Sequence, residues 1–170
     1  RRPTLAEGYV SLGAGFRSRA VVSGGEVHPS AAELGPGTAA EVLEARSGTR
    51  PTGEVSVVGA PAIVDVNAGS ANSSKPGALG EALAEAGLVA AVVGNGDRPG
   101  LEPATDVVNR PAALAVMGDD LSVPVGTVAP DDLLVADPLA PFGVRAGADE
   151  TMAAVEAAAT EADVVFVDPG

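Results

Sequence analysis

Two apolar runs in this chain end the same way. Leu133 to Ala136 is followed by Asp137-Pro138, and Val164 to Val167 by Asp168-Pro169. A carboxylate placed directly after a strand stands at the carboxyl edge of a sheet, where a hard divalent metal ion or a phosphate-bearing substrate could be held. Asp-Pro also starts ordinary turns, and turn chemistry competes with ligation at both positions. A third candidate is Gly94-Asn95-Gly96-Asp97, which follows the most apolar strand and offers the amide of Asn95 and the carboxylate of Asp97 on a short loop. Its competing account is a plain Gly-Asn turn.

Near the start, Ser11 carries a hydroxyl, and Arg17 and Arg19 are basic residues in an acidic chain that could face an anion. No Gly-x-Ser-x-Gly elbow surrounds Ser11, so a serine triad is not supported. Gly13-Ala14-Gly15 lacks the third glycine of a dinucleotide fingerprint. His28, the only histidine, has no second histidine or cysteine at metal-ligand spacing, and a surface or hydrogen-bonded role is favoured for it.

These residues need elements to position them. Gly8 to Leu12 reads as a short strand running into the Gly13-Ala14-Gly15 loop. Thr38-Ala39-Ala40-Glu41 matches a capping box and predicts a helix that stops at Gly48. Val55 to Gly59 reads as a strand, Asn67 to Lys75 as a polar mobile loop, and Ala78 to Ala86 as a short amphipathic helix ended by Gly87. Leu88 to Val93 is apolar without alternation, the pattern of a central parallel strand covered on both faces. Pro111 to Met117 and Leu121 to Val128, joined by Gly118-Asp119-Asp120, read as an antiparallel hairpin at a sheet edge, which Pro124 favours. Leu133 to Ala136 reads as a further strand. Asp149 to Ala162 reads as the longest helix, with Met152, Val155 and Ala159 on one face, and Val164 to Val167 as the last strand. Strand and helix alternate, so the expected fold class is α/β: a three-layer α/β/α sandwich with a mostly parallel sheet and an antiparallel hairpin at an edge.

Composition narrows the function classes. At 170 residues the chain suits one domain, residues 1–170, able to bury roughly 70% of its unfolded surface. Three Phe, one Tyr and no Trp require a core of small aliphatic layers. The net charge of -13 repels nucleic acid and anionic lipid alike and favours a solvated monomer. Without cysteine there are no disulfides and no thiolate sites. No apolar run approaches the length of a membrane span. A start at Arg1-Arg2-Pro3 and an end at Asp168-Pro169-Gly170 lead us to expect a fragment of a longer protein.

Taken in order, Gly8-Tyr9-Val10-Ser11-Leu12-Gly13-Ala14-Gly15-Phe16-Arg17, the helix from Gly37 to Gly48, Gly77-Ala78-Leu79-Gly80-Glu81-Ala82-Leu83, Ala91-Val92-Val93-Gly94-Asn95 and Asp163-Val164-Val165-Phe166-Val167-Asp168-Pro169-Gly170 form a recognisable set. The chain resembles the extracytoplasmic domain of an uncharacterised actinobacterial membrane protein family that is similar in layout to the alkaline phosphatase superfamily. The resemblance implies an export signal upstream, membrane helices downstream and an extracytoplasmic, membrane-anchored parent. It also implies Asp168 as a metal ligand, with any histidine-bearing ligand loop either beyond Gly170 or absent. The expected function is that of a non-catalytic or degenerate alkaline-phosphatase-like domain. It would bind a protein, a cell-wall fragment or a cation through an acidic loop face, with Ser11, Arg17, Asn95, Asp97 and Asp137 as ligand-binding candidates. The alternative is a metal-dependent phosphatase-like or sulfatase-like hydrolase whose other site residues lie outside this chain and which uses a divalent metal.

Overall fold

The computed structural model describes residues 3–21, 26–69, 75–99 and 107–169. Within them the chain is mixed α/β. The helices in chain order are α1 (Leu5–Gly13), α2 (Ala39–Ser47), α3 (Ala60–Asn67), α4 (Ala78–Glu85), α5 (Ala113–Val116), α6 (Pro130–Leu133) and α7 (Ala148–Glu161). The strands are β1 (Val27–Pro29), β2 (Val55–Val57), β3 (Ala90–Gly94), β4 (Ser122–Val123), β5 (Val125–Thr127), β6 (Leu134–Ala136), β7 (Val144–Ala146) and β8 (Val164–Asp168).

The expected strand at Gly8 to Leu12 is a helix instead. Thr4 and Glu7 form a capping box around its first turn: the Thr4 hydroxyl accepts from the Glu7 amide at 3.1 Å, and the Glu7 carboxylate accepts from the Thr4 amide at 2.9 Å. That satisfies two amides that helix geometry leaves without partners. Gly13 ends α1 against α5, where an added Cβ would lie 2.6 Å from the Ala115 carbonyl oxygen, so a larger residue would push the two helices apart. Gly13 is therefore a packing device, while Ala14 and Gly15 do turn the chain after the helix, Gly15 in the left-handed conformation. Thr38 and Glu41 cap α2 in the same way, and Gly48 closes it in the left-handed conformation, as the sequence predicts.

The strands form three small sheets. β1, β2 and β4 pair antiparallel in that order, β5, β3 and β8 pair parallel with β3 in the centre, and β6 and β7 form an antiparallel hairpin. All five residues of β3 are buried. Its alternate side chains serve two cores. Ala90 and Val92 join the large cluster built with Val10 of α1, Leu114 of α5 and Ile63 of α3, while Ala91 and Val93 pack with Leu133 and with Ala158 of α7. Burial on both faces is the reason this strand reads as a continuous apolar run.

Three further expectations are corrected. Pro111 to Met117 is not half of a hairpin: a turn leads into α5, and residues 112–117 are all almost fully inaccessible. A short apolar run buried on every side has the same pattern in a helix as in a central strand. Leu121 to Val128 is divided at Pro124, which separates β4 in the antiparallel sheet from β5 at an edge of the parallel one. Proline cannot donate to a ladder, so the strand changes sheets there. The strand after Leu133 pairs with β7, not with the parallel sheet. On α7 the inward stripe is Ala154, Val155 and Ala158, followed by the C-cap Ala162, and Met152 is 56% exposed. In the expected polar loop, Asn67 closes α3 and is buried, and positions 70–74 lie outside the described residues.

Candidate carboxyl-edge site

β3 and β8 run side by side with Gly94 opposite Asp168, so both candidate loops leave the parallel sheet at the same edge. Gly94 makes this possible. A Cβ there would meet the Asp168 backbone oxygen at 2.5 Å and the Asp168 Cβ at 3.1 Å.

Asn95 is 2% exposed, and its side chain works locally. Its Nδ2 donates to the Val128 carbonyl at 2.7 Å, which ties the end of β3 to the segment after β5, and its Oδ1 accepts from the Asp97 amide at 2.8 Å. The second bond is the asparagine turn that competed with a ligand role.

Asp97 turns inward to a partner that sequence reading did not single out. The Arg110 guanidinium donates through Nε to both Asp97 oxygens at 3.1 Å and through a terminal nitrogen to Oδ2 at 2.5 Å. The other terminal nitrogen of Arg110 donates to the Val27 carbonyl of β1 at 2.8 Å, and the Asn109 amide donates to Asp97 Oδ1 at 2.8 Å. Both side chains are removed from water, at 6% exposure for Arg110 and 13% for Asp97. The pair links the parallel sheet's carboxyl edge to β1 of the antiparallel sheet. It also reaches His28 on β1, whose pKa lies below the usual histidine value because of burial and then the Arg110 charge, against smaller opposing effects from Glu26 and Asp97.

Asp137 takes the turn role. Its Oδ1 accepts from the Leu139 amide at 2.9 Å and its Oδ2 accepts from Arg145 Nε at 3.0 Å, so it stabilises the β6–β7 hairpin. Asp168 is half-buried at the end of β8, beside Tyr9 of α1. Burial and then the Asp168 carboxylate push the Tyr9 phenol above its ordinary value. For the divalent metal that the resemblance implies, these residues alone supply no ligand set. Among the described residues no three histidine, aspartate or glutamate side chains come together as a ligand set, and Asp168 has a phenol beside it.

A cleft of about 250 Å³ lies at this edge between the 95–98 loop and the β6–β7 hairpin, with Asn109, Arg145 and Pro169 in its lining. Arg98 lies over the Phe142 ring at 5.3 Å from its centroid, which joins the loop to the hairpin. The hairpin tip is apolar: Leu139 is 96% exposed and Phe142 49%. The open acidic charge sits at the hairpin's base, on Asp131 and Asp132 of α6 and Asp149 and Glu150 of α7, all exposed.

Ser11 and Arg17 line a different cleft, against α1. The Ser11 hydroxyl donates to the Glu7 carbonyl at 2.6 Å and accepts from the Ser18 amide at 2.9 Å, which is a positioning role for the backbone. The structure thus brings Asn95, Asp97 and Asp168 to one edge, sets Asp137 in the hairpin that flanks them, and keeps Ser11 and Arg17 apart in the second cleft. Comparison with protein-family models, with curated proteins and with solved structures found no match.

Proposed function

We propose that the chain is a non-catalytic binding domain, with a degenerate alkaline-phosphatase-like α/β/α layering and an extracytoplasmic setting, which recognises a protein partner at the carboxyl edge of the parallel sheet. The observation that carries this reading is the closure of Asp97 by Arg110. The carboxylate on the loop after the central strand, where an enzyme of this layout would hold a ligand, is consumed inside the protein. Asp137 is likewise engaged by Arg145.

What the edge offers outward is the Leu139 and Phe142 tip, with arginines beside it and the carboxylates of α6 and α7 at its base. Exposed apolar anchors ringed by charge are the usual chemistry of protein recognition. A cation is the lesser reading of this face, because its open carboxylates do not converge.

Cross-linking of the purified chain in a cell-envelope extract tests the reading by comparison with Leu139→Asp/Phe142→Asp. Discrete adducts that the double variant loses, while its thermal melt is unchanged, are the expected result. An adduct pattern identical in both proteins would remove the hairpin tip as the recognition element.

A further inference from the structure

α1 is apolar on two faces, and only one of them is covered. Ala6, Tyr9, Val10 and Gly13 turn inward against the core and α5. Leu5 and Leu12, seven residues apart and so on one line of the helix, are 59% and 54% exposed, and Phe16, in the turn after the helix, is 48% exposed. Gly8 lies between them and is also open to solvent. A helix with apolar residues on its outer as well as its inner side calls for an apolar medium on both.

The charge around this ridge departs from the rest of the molecule. Its described residues 3–21 hold two arginines, Arg17 and Arg19, and one glutamate, Glu7, in a chain whose net charge is -13. Arg46, Lys75, Arg110 and Arg145 each pair with a carboxylate, and Arg98 lies on Phe142. Among the described residues the guanidiniums of Arg17, Arg19 and Arg50 have no such partner, and the first two lie beside the ridge. Their backbone is nevertheless pinned. Ser11 holds the Ser18 amide, and the buried Asn67 of α3 accepts from the Arg19 amide at 2.9 Å and donates to the Arg19 carbonyl at 2.8 Å. Both arginines are therefore presented at fixed places beside the ridge, at the rim of a cleft of about 700 Å³ that Val66, 40% exposed, also lines.

We propose that the outer face of α1, with Arg17 and Arg19, is a docking surface for an anionic lipid bilayer. Leu5, Leu12 and Phe16 stand out from the surface, and a convex apolar ridge suits entry among acyl chains, while guanidiniums at its side meet lipid phosphates. Charge complementarity selects the anionic surface. The chain's net charge of -13 opposes it weakly, because salt screens charges more than about 8–10 Å from the membrane at physiological ionic strength. Glu7 and Asp65 are the acidic side chains of α1 and α3. Glu7 is turned back onto the Thr4 amide as a cap.

Sedimentation with vesicles tests this. The full 170-residue chain is mixed with vesicles of phosphatidylcholine alone and of phosphatidylcholine with phosphatidylglycerol, beside Leu12→Asp/Phe16→Asp and Arg17→Gln/Arg19→Gln. All four substituted side chains are exposed, so both variants should keep the wild-type circular dichroism and melt. The chain should partition onto the anionic vesicles, less so as salt is raised. The arginine variant should bind about 30-fold more weakly, the loss of two surface charges, and the apolar variant should lose binding. Absence of sedimentation with anionic vesicles at low salt, or partition that neither folded variant changes, would overturn the proposal and leave the ridge to a protein partner.

Discussion

Asp97 shows how a single carboxylate can look like a ligand in the sequence and prove to be a strut in the structure. The residue following a buried strand must either meet solvent or find a buried partner, and Asp97 finds Arg110. Breaking such a pair by removing one member leaves an uncompensated charge in a site with little water. Asp97→Asn should therefore lower stability by about 3–5 kcal/mol, whereas Asp97→Ala combined with Arg110→Met should recover much of that loss. Asp137→Asn should cost no more than about 1 kcal/mol, since its partner Arg145 is 55% exposed. Urea unfolding of the four proteins checks all of this. Equal losses for Asp97→Asn and Asp137→Asn would show that the buried pair is no different from the surface one. The only sequence trace of the Asp97 pair is an arginine next to Pro111 at the start of a wholly apolar run. Thirteen residues of separation gave no local pattern to connect the two.

At the scale of elements, legibility followed the locality of the forces. The α2 cap is written in four consecutive residues, and the strand β3 in one unbroken apolar run, so both were readable. The same cap pattern at Thr4 and Glu7 went unread beside Gly13-Ala14-Gly15, where the reason for Gly13 lies in the carbonyls of α5 a hundred residues away and that for Gly15 in its left-handed backbone. α5 is buried on all sides and so has no amphipathic period, and the fate of Leu121 to Val128 depends on a change of sheet at Pro124. α3 went unread because Gly59-Ala60-Pro61 resembles a strand's end, although proline fits the first turn of a helix. If the cap is what holds α1 against α5, Thr4→Ala should destabilise the protein by about 1 kcal/mol, with faster amide exchange confined to residues 5–9. Unchanged exchange there would mean that packing alone sets the helix.

For the molecule as a whole, the sequence pointed correctly to mixed α/β with a parallel core strand, and to candidate residues that do gather at that strand's carboxyl edge. It did not show what those residues face. The difference matters because an ion-paired carboxylate and a metal-binding one have the same spacing and opposite consequences. The central proposal is that this edge, with Asp97 paired to Arg110, serves recognition and not metal chemistry. Thermal unfolding with zinc, manganese or magnesium, alongside turnover of a generic phosphate ester, tests it most directly. A metal bound only by the folded state and present at a hundredfold excess over its dissociation constant would add about 2.7 kcal/mol, or about 5–10 °C for a chain of this size. The account predicts the same melting temperature with and without each metal, in wild type and Asp168→Ala alike, and no hydrolysis. A rise of that size with any of the three metals, abolished by Asp168→Ala and accompanied by ester turnover, would contradict it.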